Sequence, residues 1–215
     1  MAAKSCLPPR LADGEVVLDS YQAGDAEAHF AGEDEEMRRR FEAPGPSTLE
    51  QTRNAILGWS AHREPSIVNY ALRDRAGRLL GGCEARRTSD AVVEVSYWVF
   101  PDYRGLGLAA RALSLLADAL KAVGGLERIE AHVDADNHAS QKAAKRAGFV
   151  SSGNVDERAL AGGVVRRRLY VRKLRDRPLL GFPEAAELSP LSRCAAGCSR
   201  RRCPWPRRKP AAPWA

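Results

Sequence analysis

Apolar positions along the chain change period several times, and each change marks an element. Residues 15–20, Glu-Val-Val-Leu-Asp-Ser, predict a first strand. Residues 23–41 predict a broken helical region rich in charge. Ser47-x-x-Glu50 has the form of a capping box, and the helix it opens should reach His62, with Leu49, Ile56 and Leu57 among its apolar residues. Residues 66–74 and 78–87 flank Arg75-Ala76-Gly77 and predict a hairpin. Residues 92–100 form a β-branched and aromatic run that Pro101 must end, because proline cannot donate to a ladder.

The period then lengthens. Leu113, Leu116, Leu120 and Val123 make one stripe of a helix over 106–123, stopped by Gly124-Gly125. Ile129, Ala131 and Val133 alternate with Arg128, Glu130 and His132, the pattern of a half-buried strand over 126–134. Asn137 can cap a short helix that ends at Gly148. Residues 149–152 and 164–171 predict two closing strands. This order predicts one mixed α/β (α+β) domain over 1–175, with a six- to seven-stranded sheet and about four helices.

Composition changes the picture only after Asp176. The 215 residues carry a net charge of +7, but the segment from Arg172 onward holds eleven Lys/Arg and three Asp/Glu. Residues 1–171 are therefore nearly neutral, and the global charge gives no reason for the folded part to bind nucleic acid. Only the basic tail could do so. Seven of the 13 prolines lie in 178–215. That tail, 176–215, is expected to be disordered. Its Pro/Arg/Cys-rich mixture is also that of an out-of-frame or vector-derived translation. Among the five cysteines, Cys194, Cys198 and Cys203 cluster there, without the second ligand pair a zinc site needs. No metal is expected. An odd cysteine count argues against a disulfide framework. No apolar run is long enough to span a bilayer, and Met1 to Gly14 lacks the apolar core of a signal peptide, so a cytoplasmic protein with no membrane partner is expected.

The chemistry concentrates in Val99-Phe-Pro-Asp-Tyr-Arg-Gly-Leu-Gly-Leu-Ala109, where a strand ends, a glycine turn follows and an amphipathic helix begins. Helix N-terminal amides lack internal partners and carry the positive end of the dipole. Glycines let the backbone approach an anion closely, and a pyrophosphate suits such a cradle. Arg104 adds a permanent charge. A dinucleotide fingerprint would need a third glycine where Ala110 stands, and a Walker loop would need Gly-Lys-Ser/Thr, which is absent.

Arg104-x-x-Gly107-x-Ala109 resembles the Arg/Gln-x-x-Gly-x-Gly/Ala signature of the GNAT acetyltransferases. Asn137-His-Ala-Ser140 followed by Ala147-Gly148-Phe149 is similar to that family's Asn-x-x-Ser/Ala…Gly-Phe helix. Glu94-Val-Ser-Tyr97-Trp98 looks like the strand of its RimJ/RimL-like branch. The resemblance covers 15–173 in element order. It implies a mostly antiparallel sheet split in the middle, with acetyl-CoA as co-substrate. The pantetheine arm would lie between the strands ending near Val99 and Val133, paired with backbone at Tyr97 and Val99. The pyrophosphate would rest on the amides of Gly105, Leu106, Gly107, Leu108 and Ala109, beside Arg104, with Asn137 near the thioester.

Direct transfer to an amine needs a neutral nucleophile, a donor to the oxyanion and a hydrogen bond or proton for the leaving thiolate. Glu94 is the expected base, directly or through water, and the Val99 amide the expected oxyanion donor. If β alternation holds without a bulge, Tyr97 does not share a face with Glu94. Many family members carry a tyrosine seven residues after the asparagine, where this chain has Ala144, so Ser140 is expected to serve the thiolate. The alternative for Ser140 is a first-turn serine bonded to its own backbone. Glu33-Asp34-Glu35-Glu36 could attract a cationic acceptor, or be a solvated face balanced by Arg38-Arg39-Arg40. His138 is a second candidate base, and Cys83 reads as a core residue. The acceptor is an amine-bearing small molecule, such as an aminoglycoside or polyamine, or a protein N-terminus. A homodimer and a catalytically inactive acyl-CoA sensor stay open.

Overall fold

The computed structural model describes residues 7–61, 66–160 and 163–174. The expectations for 176–215, including its three cysteines, lie outside the described residues. Eight strands form one sheet: β1 (Arg10–Ala12), β2 (Val16–Asp19), β3 (Ile67–Asp74), β4 (Leu79–Arg87), β5 (Val92–Val99), β6 (Arg128–Asp134), β7 (Val150–Leu160) and β8 (Gly163–Lys173). Their order is β1-β2-β3-β4-β5-β6-β8-β7, antiparallel throughout except for the parallel pair β5–β6. Five helices flank it: α1 (Ala26–Gly32), α2 (Glu35–Arg40), α3 (Leu49–Ala61), α4 (Leu108–Val123) and α5 (His138–Arg146).

The expected mixed fold is present, with one more strand and one more helix than the periodicity gave. Three-residue β1 is too short to carry an alternation, and the broken helical region resolves into a single turn at Ala23–Asp25, α1 and α2. The box at α3 is shifted by one residue. Thr48 Oγ1 accepts from the Gln51 amide (3.2 Å) while Gln51 Oε1 accepts from the Thr48 amide (2.8 Å). β7 runs past the expected 149–152. Ser151-Ser152-Gly153-Asn154 has turn composition, but the register shift between Ser151 and Val155 absorbs it as a bulge, and pairing with β8 resumes.

Both faces of the sheet are covered. On one face α4 and α5 pack Leu113, Leu116, Leu120 and Ala144 against Val93, Val95, Ile129, Ala131 and Val133. On the other, α1 to α3 enclose Trp98 and Phe100 with Tyr21, Ala26, Met37 and Ile56. Alternation along β5 thus divides its side chains between two cores. A Cβ at Gly82 would meet the Trp98 ring and the Tyr21 hydroxyl, so glycine is what lets that indole lie across β4. Among the described residues no helix is long and apolar enough to cross a membrane.

Candidate active site

The site follows from where pairing stops. β5 and β6 are in register only at Val92↔Arg128, Val93↔Ile129 and Glu94↔Glu130. The Phe100 amide donates to Leu80 O on β4 (2.9 Å), and the Glu127 amide donates to Ala91 O (2.8 Å). Hydrogen-bonding direction alternates along a strand, so the main-chain groups of Val95, Tyr97 and Val99 face β6. Beyond Glu94 no β6 residue pairs with them. A cleft of about 540 Å³ opens there, lined by Val95 to Val99, Ala131 to Asp134, the start of α4 and the cleft side of α5.

At one end lies the glycine turn. Gly105 and Gly107 have φ of 81° and 79°, the left-handed region that glycine enters without strain. The α4 ladder begins with the Arg111 amide on Gly107 O (3.2 Å), which leaves the Leu108, Ala109 and Ala110 amides without a carbonyl behind them. Gly105, Gly107, Leu108 and Ala109 line the cleft, whereas the Leu106 side chain is 68% exposed, which leaves its amide for any contact. Lys142 and Arg146, one helical turn apart on α5, also line it. They were missed in sequence because their only signal was spacing on a short helix. The cradle fits the anionic end of acetyl-CoA, and the open backbone row fits its amide-bearing arm.

Arg104 is more engaged than a lone cation at the mouth. Its guanidinium holds both carboxylate oxygens of Asp34 (2.7 and 2.9 Å), and its Nε donates to Val99 O (3.1 Å). Burial raises the Asp34 pKa, but Arg104 and the Met37 amide outweigh it, and the carboxyl lies below its ordinary value. Asp34 is also the N-cap of α2. The rest of the acidic run is mostly paired as well: Glu33 with Arg38 (3.4 Å), and Glu36 with Arg40 (3.5 Å) and Arg104 (3.4 Å).

Glu94, Ser96 and Trp98 share the β5 face toward α1 to α3, and Tyr97 takes the opposite face with no bulge between them, as alternation required. Glu94 lines the cleft. The other cleft carboxylates are compensated: Glu84 by Arg86 (2.9 Å), Asp134 by Arg40 (2.9 Å) and Arg167 (3.0 Å), and Glu42 by Arg167 (2.6 Å). Glu94 alone among them has no ion-pair partner among the described residues.

Asn137 caps α5 by accepting from the Ser140 amide (3.0 Å), which leaves its amide NH₂ free to donate into the cleft it lines. The Ser140 hydroxyl pairs with the Tyr97 phenol at 2.6 Å and not with its own helix backbone. Ala144 is buried in the core. His138 is exposed and does not line the cleft, whereas His132 does, 3.7 Å from Asp156. Cys83 is buried, and burial pushes its thiol up to about 12, which suits a core residue and not a nucleophile. No group of three or more His, Cys, Asp or Glu among the described residues could hold a metal ion.

The profile of a family described as "Acetyltransferase (GNAT) domain" matches residues 15–150. No curated protein matches the sequence. Among solved structures, a GNAT-family acetyltransferase from Bacillus anthracis superposes with a TM-score of 0.68 at 18% identity, over 77% of this chain and 98% of that one. The apo ribosomal L7/L12 α-N-protein acetyltransferase RimL gives 0.65 at 18% identity, over 79% and 94%. A spermidine N-acetyltransferase chimera of Vibrio cholerae SpeG and hSSAT gives 0.62 at 16% identity, over 74% and 96%. At these identities the likeness is one of fold.

Proposed function

This chain belongs to the GNAT acetyltransferase family, and on that premise we propose that it moves the acetyl group of acetyl-CoA directly onto a protein N-terminal α-amine. Acetyl-CoA supplies the activated acyl group. The amides of Gly105 to Ala109, with Lys142 and Arg146, hold its anionic end beside Arg104, whose guanidinium is anchored on Asp34, and the backbone of Tyr97 and Val99 with Asn137 holds the arm. Glu94 takes the amine proton, directly or through water. The Val99 amide donates to the developing oxyanion, and Ser140 donates to the departing sulfur.

One observation carries the choice of acceptor: among the described residues, Glu94 is the cleft carboxylate without an ion-pair partner. A polycationic acceptor is held by several free carboxylates, and here Asp34, Glu36, Glu42, Glu84 and Asp134 are already held by arginines. A single α-amine, with a pKa of ~8 against ~10.4 for a lysine, needs only modest help to deprotonate. That matches one carboxylate.

The test is thiol release from acetyl-CoA with mass spectrometry of products, using N-terminal peptides, aminoglycosides with polyamines, and free amino acids. Acetylated peptides alone are the expected result. Acetylated polyamines or aminoglycosides would transfer the enzyme to the small-molecule class. Binding of acetyl-CoA without transfer to any pool would leave an acceptor outside these pools or the sensor.

A further inference from the structure

Tyr97 offers the cofactor arm its backbone, and its side chain reaches Ser140. It crosses from β5 to the first turn of α5, where its hydroxyl lies 2.6 Å from Ser140 Oγ and 3.1 Å from Ser140 O. Ser140 is therefore held at three points: its amide by Asn137, and its carbonyl and hydroxyl by one phenol. Both side chains line the cleft.

We propose that Tyr97 is a positioning residue that directs the Ser140 hydroxyl proton at the departing sulfur. A serine hydroxyl has one proton and rotates to suit its neighbours. Alone in a first helical turn, it donates to its own backbone. With the phenol donating to Oγ, the serine proton can no longer point at Tyr97 and turns outward. The other arrangement, serine to phenol and phenol to carbonyl, buries both protons in the protein. Negative charge gathering at the sulfur favours the first arrangement, and the phenol reaches it by turning its single proton from the carbonyl to Oγ.

Tyr97 stays protonated throughout. Burial pushes its phenol up to about 12, against a smaller lowering by Ser140. The step balances without it: the N–C bond forms, the C–S bond breaks and its electron pair stays on sulfur. The amine proton leaves to Glu94 or water, and the thiolate takes a hydrogen bond from Ser140 before solvent protonates it. Neither hydroxyl is consumed.

This inference rests on the acetyl-transfer reading, so its test includes a measurement that needs no acceptor. CoA bound to the full chain is titrated by the ultraviolet absorbance of its thiolate, for wild type, Tyr97→Phe, Ser140→Ala and the double variant. Both single variants should ionise the bound thiol at higher pH, to the same extent, and the double variant no higher. With an accepted amine, Tyr97→Phe should lower kcat by about tenfold to a hundredfold and leave the KM for acetyl-CoA unchanged. Wild-type ionisation in Tyr97→Phe, or a loss that adds to that of Ser140→Ala, would overturn the inference. A packing role alone would change melting temperature or KM without moving the thiol. If wild type does not bind CoA, the acetyl-transfer reading itself falls.

Discussion

A histidine ring walled by Tyr21, Trp59, Trp98 and Phe100 cannot hydrate a positive charge. His29 lies in that cage, 5.5 Å from the Trp59 and Phe100 ring centres, and burial holds its pKa down at about 4, against smaller raising effects of Glu33 and Asp25. Above pH 6.5 both folded and unfolded states are neutral there. As pH falls from 6.5 to 4 the unfolded chain takes up a proton that the folded one refuses, so stability is lost, by about 3 kcal/mol at most. Denaturant melts across that range should show the loss, and His29→Phe should lose that share of the slope. At Gly107 the backbone is left-handed and its Cβ direction is open. Gly107→Glu should cost about 1–2 kcal/mol as a left-handed non-glycine residue, meet no neighbour, and bring charge and bulk to the proposed phosphate cradle. Calorimetry should find acetyl-CoA affinity reduced by at least about tenfold, since one opposed charge is worth that much.

At the scale of elements, α2 joins the two sides of the split. Its N-cap Asp34 holds Arg104 in the turn after β5, and Arg40 reaches Asp134 at the end of β6 and Asp136 just past it. A six-residue helix with one buried apolar side chain, Met37, is held in place largely by charge. The acidic and basic runs at 33–40 suggested neutralisation, but the partners outside the run, Arg104, Asp134 and Asp136, come together only in three dimensions. The same holds for Arg73 on β3. It is buried, with Nε on Asp19 (2.7 Å) and its two terminal nitrogens on Asp25 (2.8 and 2.7 Å), and hydrogen bonding to Asp25 raises its pKa. Arg73→Met should destabilise the protein by about 3–5 kcal/mol in chemical denaturation, because it strands the buried Asp25 carboxylate and leaves half-buried Asp19 only Arg10 at 3.7 Å. Nothing in a strand reading Ile-Val-Asn-Tyr-Ala-Leu-Arg-Asp distinguishes that arginine from a solvated one.

For the whole molecule, the proline- and arginine-rich composition of 176–215 gives that segment little apolar surface to bury. Removing 176–215 should leave the melting temperature within about 2 °C of the full chain by calorimetry, less than the shift one kcal/mol produces in a domain of this size.

Element types and their order were legible because periods of two and 3.6 survive in β6 and α4, where one face is dry and the other is not. The geometry of the proposed cradle was legible because it is local: a strand end, two glycines and a helix start within eleven residues. Length of β7, the Thr48 cap and β1 were not, since composition at Ser151 to Asn154 and at residues 47–51 leaves the choice to pairing partners. The chain by itself determined which residues could take a left-handed turn, which faces must be buried and which motif family it carries. Only the tertiary structure decided which carboxylate of the cleft lacks an ion-pair partner among the described residues and which hydroxyl meets Ser140. Charges and hydroxyls find partners by distance in space, and residues 43 apart, such as Tyr97 and Ser140, acquire a distance only when the sheet and α5 are packed together.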